Sequence, residues 1–546
     1  MECWIKTGIK IVSLLFVFAR LASAAEWQWS VPDGAGRAYL WIPADCQRVR
    51  AVVVAQHNMI EQGILEHPTF RREMQRLGIA EVWYVPKFEM QFNFNKGAGE
   101  HYQRLMDALA DESGYTELKV CPAVPIGHSA CATYPWNFAA WNPGRTLAIL
   151  SIHGDAPQTK LTGYSGPNVD WGDRTIDGVP ALMVMGEFEW WEDRLTPALA
   201  YMAKHPQAPI AFLADAGRGH FDFDDRTVEF LAMFIRKAAE RRLPAEMPAA
   251  LDAPVPLTPI DPKDGWRIDR WHKDQSLPSA PAAPYAEYVG DPKNAFWCFD
   301  EEQARLTEQR YAASRGKLPQ LIGFTQDGQP AGPEAGGARF TPGDDGMTFT
   351  LGTRFLEKTD AKVHVDGLPA GAPIGHAEGG GPIILSKIVG PGVVTAPDTI
   401  VVRLDRSVYT ADRRNNDLWL LASHPGDERY KSASQPVMIR INPNKDGVKQ
   451  SITFPPIGNQ SVETKMLKLS ATSNAGLPVQ YYIREGPAEV DGDTLTFTTI
   501  PPRAKYPVKV TLVAWQWGRS VEPKVQTADQ VEQSFTIAAS PPASHH

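Results

Sequence analysis

Nowhere does this chain gather lysine and arginine into a block. With 55 basic against 63 acidic residues its formal net charge is -8, so it lacks the electrostatic footprint expected if nucleic acid were its main partner. Long apolar runs are missing as well. The run at 11–19 is too short to span a bilayer comfortably, and no transmembrane span is expected in the mature protein. The composition of a disordered chain is also absent, because 43% hydrophobic and 22% charged residues describe a globular protein. At 546 residues the chain exceeds one ordinary core, so several domains are expected.

What is present begins with an export signal. Lys6 and Lys10 precede the apolar run, and Ala22-Ser23-Ala24 fits a small-residue cleavage site, which marks residues 1–25 as a leader and the protein as exported, periplasmic or extracellular. No cysteine follows the cleavage site directly, which disfavours a lipid anchor. Export permits disulfides. Cys46, Cys121, Cys131 and Cys298 follow the leader. Cys46 precedes an apolar run at 51–55 and Cys121 one at 123–126, so parallel neighbouring strands would bring the two together. A Cys46–Cys121 disulfide is expected, with two buried free thiols as the alternative.

From 26 to 243, apolar runs alternate with amphipathic helical stretches, the pattern of a mainly parallel sheet covered by helices. The runs at 38–42, 51–55, 81–85, 123–126, 147–152, 181–185 and 210–214 read as strands; 68–77, 99–111 and 225–242 read as helices. Function in such sheets gathers where the carboxyl ends of the strands converge. Chemistry-bearing residues follow those ends in order: Gln56-His57-Asn58-Met59, then Gly127-His128-Ser129-Ala130-Cys131, His153-Gly154-Asp155, Gly186-Glu187-Phe188-Glu189 and finally Gly217-Arg218-Gly219-His220. Ser129 sits between small residues directly after an apolar strand, the form of a strand-elbow-helix turn that exposes a hydroxyl. The usual second glycine of that motif is Cys131 here.

Nucleophile, acid and then histidine, each at a strand end, resembles the α/β-hydrolase superfamily over 26–243. The resemblance implies Ser129 as nucleophile, His220 as general base and a carboxylate near 189 as its orienting partner. Glu189 matches the family's Gly-x-x-Asp spacing with glutamate for aspartate, and Glu187 and Asp155 are alternative acids. It also implies an oxyanion hole from the Ala130 N–H and an N–H of the His57-Asn58 loop, although that loop lacks the His-Gly-Gly signature of many esterases. The acidic run Asp222, Asp224 and Asp225 reads as solvated carboxylates at a helix start rather than a calcium site. No cofactor and no metal are called for.

Aromatic residues crowd the expected mouth, and Trp136, Trp190 and Trp191 are candidates for a substrate wall, with core packing as the alternative. Residues 244–284 are proline-rich and read as a linker. Residues 285–443 read as a β-rich domain with one helix at 301–314. Residues 449–540, with short alternating strands punctuated by Gly, Pro and Asn, resemble a bacterial immunoglobulin-like module. The expected architecture is therefore multidomain, an α/β-hydrolase followed by two all-β, sandwich-like domains.

The expected function is an exported serine esterase acting on an ester-bearing substrate, such as a substituted polysaccharide. Modules of this kind space their catalytic partner or attach it to the cell surface. A serine peptidase on the same residues, or a non-catalytic surface-binding protein on a degenerate hydrolase scaffold, are the alternatives.

Overall fold

The computed structural model describes residues 26–159, 167–272, 275–363, 365, 367–409 and 414–539. The leader expected at 1–25 lies outside them. Among the described residues no helix is long and apolar enough to cross a membrane.

Eight strands form the principal sheet: β1 (Trp29–Asp33), β2 (Gly36–Trp41), β3 (Ala51–Gln56), β4 (Ile79–Val85), β5 (Ala123–His128), β6 (Ile149–Ile152), β7 (Ala181–Gly186) and β8 (Ile210–Asp215). Their spatial order is β1-β2-β4-β3-β5-β6-β7-β8. The first two strands and the β2–β4 pair are antiparallel, and every pair from β4 onward is parallel. This is a mainly parallel, α/β-hydrolase-like sheet. β3 to β8 are buried along their whole length, which explains why they appear in the sequence as continuous apolar runs rather than alternating ones. β1 escapes such a reading because Pro32 interrupts it, and a proline is tolerated there because β1 is an edge strand.

Helices α1 (Glu61–Leu65), α2 (Pro68–Leu77), α3 (Ala98–Ser113), α4 (Tyr134–Trp141), α5 (Glu192–Lys204) and α6 (Asp225–Arg242) accompany the sheet. Their ends follow local chemistry. α2 starts on Pro68 and stops at Gly78 in the left-handed conformation, φ 67°. α6 is capped by Asp224, whose carboxylate accepts the Thr227 N–H at 2.7 Å.

Beyond α6 come several small, mostly antiparallel sheets. β9 (Trp266–Asp269) pairs with β10 (Ala283–Pro284) and β11 (Ala295–Cys298), and Phe296 of β11 stacks on Phe212 of β8 with ring centres 4.9 Å apart. Helix α7 (Glu301–Ala312) follows. Further on, the strand Asp417–His424 runs between Ile384–Val389 and Ala433–Arg440, and a four-stranded and a three-stranded sheet occupy the C-terminal part. Buried charges join these sheets to the hydrolase sheet. Arg406, 1% exposed, reaches Glu66 at 3.0 Å and the carbonyls of Ile483 and Arg484 at 3.0 and 3.2 Å. Lys431 reaches Glu187 at 2.6 Å, and Arg310 pairs with Asp215.

The expected disulfide does not form: Cys46, Cys121, Cys131 and Cys298 are all free and buried. β3 and β5 are indeed parallel neighbours, but their register sets Val52 opposite Ala123. Arg50 is thereby the residue level with Cys121, and Cys46 falls further back in the turn closed by its own N–H to Pro43. Tyr115 and Glu117 take up the gap, one donating its hydroxyl to the Cys46 carbonyl at 2.8 Å, the other accepting the Val49 N–H at 2.9 Å.

Candidate active site

β5 delivers its chain to a sharp turn at Ser129, which holds φ 51° although it is not glycine. A residue is kept in that conformation only where its surroundings over-determine it. Gly127 supplies the close approach on which the turn depends, since a Cβ there would lie 2.0 Å from the Cys131 carbonyl oxygen. Cys131 itself is fully buried, its thiol pushed up by burial. It fills the position where glycine is usual without blocking the elbow.

Ser129 Oγ lies 2.7 Å from His220 Nε2, and His220 Nδ1 meets Glu189 Oε2 in a short hydrogen bond. Three strand ends, β5, β7 and β8, thus contribute one group each. The β7 and β8 loops are fastened together beneath them. The Phe188 N–H donates to the Arg218 carbonyl at 2.9 Å, and a Cβ on Gly186 would strike the Arg218 and Gly219 carbonyl oxygens at 2.6 Å.

Glu189 is saturated with donors. Besides His220, it receives Arg194 at 3.2 Å on Oε2, and the Gly186 N–H at 3.0 Å together with His153 Nδ1 on Oε1. Burial alone would raise its carboxyl, but the charge and hydrogen bonds of His153 and His220 hold it well below the usual carboxylate range. His153, at φ 52°, is fully buried, and its carbonyl also takes Arg194 at 3.1 Å.

The two other candidate acids are used elsewhere. Glu187 accepts from Lys431 at 2.6 Å, Ser314 Oγ at 2.7 Å and the Gly217 N–H at 2.9 Å, so it fastens the β-rich part to the sheet. Asp155 is fully buried, accepts from Thr133 Oγ1 at 3.2 Å, and is pushed up to about 6 by burial. Neither is bonded to His220.

His128 and Glu61 form a layer behind the serine. His128 donates Nε2–H to the His220 carbonyl at 2.6 Å, while burial, then His220 and His153, push its imidazole well below the ordinary histidine range and keep it neutral. Glu61, at the start of α1, accepts the His128 N–H at 2.9 Å, the Met59 N–H at 2.8 Å and the Asn58 N–H at 3.2 Å. Burial pushes its carboxyl up to about 7 despite those donors.

This carboxylate corrects the expected oxyanion hole. The Asn58 N–H is spent on Glu61, and the His57 N–H donates to the Tyr84 carbonyl at 2.7 Å as part of the sheet ladder. The loop faces the elbow through a side chain instead, with Asn58 Nδ2 donating to the His128 carbonyl at 3.0 Å. Ala130 stays directly after the nucleophile, in the single helical turn Ser129–Cys131.

Of the expected aromatic wall, Trp136 is corrected. Trp136 is 0% exposed and donates Nε1–H to the Asp155 carbonyl at 3.0 Å, so it belongs to the core. Trp190 packs edge-on against Phe212 and Trp191 lies under Arg194. A small pocket between the loop after β3 and the β-rich region is lined by His57, Asn58 and Trp419 among others, and by neither of these tryptophans. Trp419 packs on Phe221 at 4.9 Å, and Phe221 meets the His220 ring edge-on at 4.5 Å. Of the acidic run, Asp222 accepts the Gly219 N–H at 2.6 Å, Asp224 caps α6 and Asp225 reaches His67 at 3.2 Å.

Sequence reasoning placed His153 at a strand end without giving it a role, and missed Glu61, Arg194 and Trp419. Glu61 had a signal, the one charged residue in the stretch Met59-Ile60-Glu61-Gln62-Gly63-Ile64-Leu65. Trp419 had none, because it lies in another part of the chain and only packing brings it to the site.

No protein-family model and no curated protein matches this chain. Among solved structures it is similar to an alpha-beta serine hydrolase homologue from Coxiella burnetii, at 14% identity over 39% of this chain and 97% of that one, TM-score 0.27. It is also similar to Est1E from Butyrivibrio proteoclasticus, at 13% identity over 39% of this chain and 97% of that one, TM-score 0.26.

Proposed function

We propose that this protein is a serine hydrolase that cleaves carboxylic esters through an acyl-enzyme. The observation that carries this is the hydrogen-bonded row from Ser129 Oγ through the His220 imidazole to the Glu189 carboxylate. A serine hydroxyl is a weak nucleophile at neutral pH, and an imidazole at 2.7 Å supplies the base it needs.

Ser129 Oγ adds to the ester carbonyl carbon as its proton passes to His220 Nε2. The tetrahedral intermediate then collapses, the carbon–oxygen bond to the alcohol breaks, and His220 returns the proton to the departing alcohol. Water attacks the acyl-serine by the same route and restores the hydroxyl. Glu189 keeps the other ring nitrogen protonated and stabilises the imidazolium, while His128 holds the His220 carbonyl and Glu61 holds the His128 N–H. The Ala130 N–H serves as an oxyanion donor.

In this proposal the protein is exported by its leader and acts on ester substituents of a polysaccharide. Residues 244–284 join the hydrolase domain to the β-rich domain at 285–443, and 449–540 form an immunoglobulin-like module that spaces or attaches the enzyme. Labelling by a fluorophosphonate probe, mapped by mass spectrometry, tests the core of it. Modification at Ser129, lost in Ser129→Ala together with hydrolysis of p-nitrophenyl acetate, is the expected result. Equal turnover by the native protein and Ser129→Ala overturns it and leaves the surface-binding alternative.

A further inference from the structure

The catalytic acid is not reserved for the catalytic histidine. Glu189 Oε2 takes the Arg194 guanidinium at 3.2 Å as well as His220 Nδ1, and Oε1 takes His153 Nδ1 and the Gly186 N–H. His153 directly follows β6, the strand between β5 and β7. Its side chain is 0% exposed, and its ring centre lies 5.5 Å from that of His128 and 6.0 Å from that of His220. His153 Nε2 is buried with no hydrogen-bond partner among the described residues, so the ring addresses polar groups through Nδ1 alone. Arg194 ties acid and histidine together, because it also reaches the His153 carbonyl at 3.1 Å while the Trp191 ring covers its guanidinium at 4.8 Å.

The other ionisable groups around His220 are engaged elsewhere. His128 donates to the His220 carbonyl and Glu61 holds the His128 N–H. Glu187 is paired with Lys431, Asp155 is bonded to Thr133, and Asp222 accepts the Gly219 N–H beside Arg218. The β-rich region meets the His220 loop through Trp419 on Phe221, both uncharged. The electrostatic balance at the imidazole therefore turns on how much of the Glu189 charge His153 and Arg194 take up. A carboxylate already facing a guanidinium and two further N–H donors stabilises an imidazolium less than one that faces the imidazolium alone.

Resting on the serine-hydrolase reading, we propose that His153 and Arg194 are positioning residues for Glu189, which fix its carboxylate and draw off part of its charge, so that His220 still accepts the Ser129 proton in a mildly acidic medium. Neither residue touches the reacting atoms. Both act through the acid, Arg194 as a cation and His153 as a neighbouring donor on the oxygen that His220 leaves open.

The test is the pH profile of kcat/KM for p-nitrophenyl acetate on the full chain between about pH 5 and 8, whose acid limb reports protonation of the free enzyme's base. Arg194→Gln removes the cation and should move the midpoint of that limb up by about one pH unit, and Arg194→Lys should return it towards the native value. His153→Gly fits the left-handed backbone, φ 52°, but has no donor, and should move the midpoint in the same direction. His153→Asn also tolerates that backbone and offers an amide N–H in place of Nδ1–H, and should return it part of the way. The Arg194 variants, at a half-buried position on α5, decide the matter if His153→Gly does not fold. A midpoint that is unchanged or lowered in Arg194→Gln overturns the proposal, as does Arg194→Lys shifting as far as Arg194→Gln. So does a loss of kcat/KM that is equal at every pH, the mark of residues that only support the fold. Any of these results with hydrolysis and fluorophosphonate labelling of Ser129 intact removes this inference alone. No labelling and no hydrolysis by the native protein removes the hydrolase reading beneath it.

Discussion

Replacing Glu189 by glutamine takes one negative charge from a point where four donors converge: the imidazoles of His220 and His153, the Arg194 guanidinium and the Gly186 N–H. A carboxylate accepts from all four, whereas an amide presents one oxygen and one NH2 group. If the NH2 faces His220, it donates to Nδ1 and forces the imidazole proton onto Nε2, against Ser129 Oγ, where it blocks proton abstraction. If the oxygen faces His220, the NH2 opposes His153, and the imidazolium formed during the reaction still loses its counter-charge. Either way kcat should fall by about 1,000- to 10,000-fold, the usual effect of neutralising the acid of such a triad. That corresponds to about 4.1 to 5.4 kcal/mol on the barrier. The assay is steady-state hydrolysis of p-nitrophenyl acetate with the rate of fluorophosphonate labelling, beside Glu187→Gln and Asp155→Asn. Those two should stay within about tenfold of the native kcat in their folded fraction, because neither residue touches His220. A Glu189→Gln enzyme within tenfold of native, with either of the others inactive but folded, would refute the assignment of the acid.

Other perturbations probe the support of the site. Glu61 holds its proton to about pH 7 when folded, against an ordinary value near 4.5. Its contribution to stability is therefore complete below about pH 4.5 and is lost as pH rises through 7, a change of about 3 kcal/mol. Urea denaturation at pH 5.5 and 8.5 should show about 2 kcal/mol of that loss in the native protein, the part that falls between pH 5.5 and 7, and a shallower pH dependence in Glu61→Gln; identical slopes would remove Glu61 as the titrating group. Gly127→Ala drives a methyl group into the Cys131 carbonyl and should cost about 3 kcal/mol by overpacking, with a lowered urea midpoint and weakened labelling of Ser129. Arg406→Ala takes the guanidinium from Glu66, which keeps only the Trp27 and Gln62 donors, and from the Ile483 and Arg484 carbonyls, and should destabilise by about 3 kcal/mol, measured by chemical denaturation.

Much of the hydrolase sheet could be read directly from the residues because its strands are buried on both faces. Such strands must be uniformly apolar, so 51–55 and 210–214 announce themselves without knowledge of their neighbours. The chain order of Ser129, Glu189 and His220 was legible for a related reason: strand ends in a parallel sheet lie on one edge, so the residues that follow each strand are already candidates for a shared site. The choice among carboxylates was less so. Glu187 and Glu189 differ by two positions, and only the docking of Lys431 and Ser314 onto Glu187 separates them.

The sequence by itself determined which segments pack as strands and helices, because burial and periodicity are local properties of side chains. Only the tertiary structure decided what stands opposite what. The β3–β5 register moved Cys46 out of reach of Cys121, the Glu61 carboxylate took the N–H of Asn58, and a distant strand brought Trp419 against Phe221. Register, hydrogen-bond partition and domain docking are set by sums of contacts between segments far apart in the chain, and no single segment carries a record of its partner.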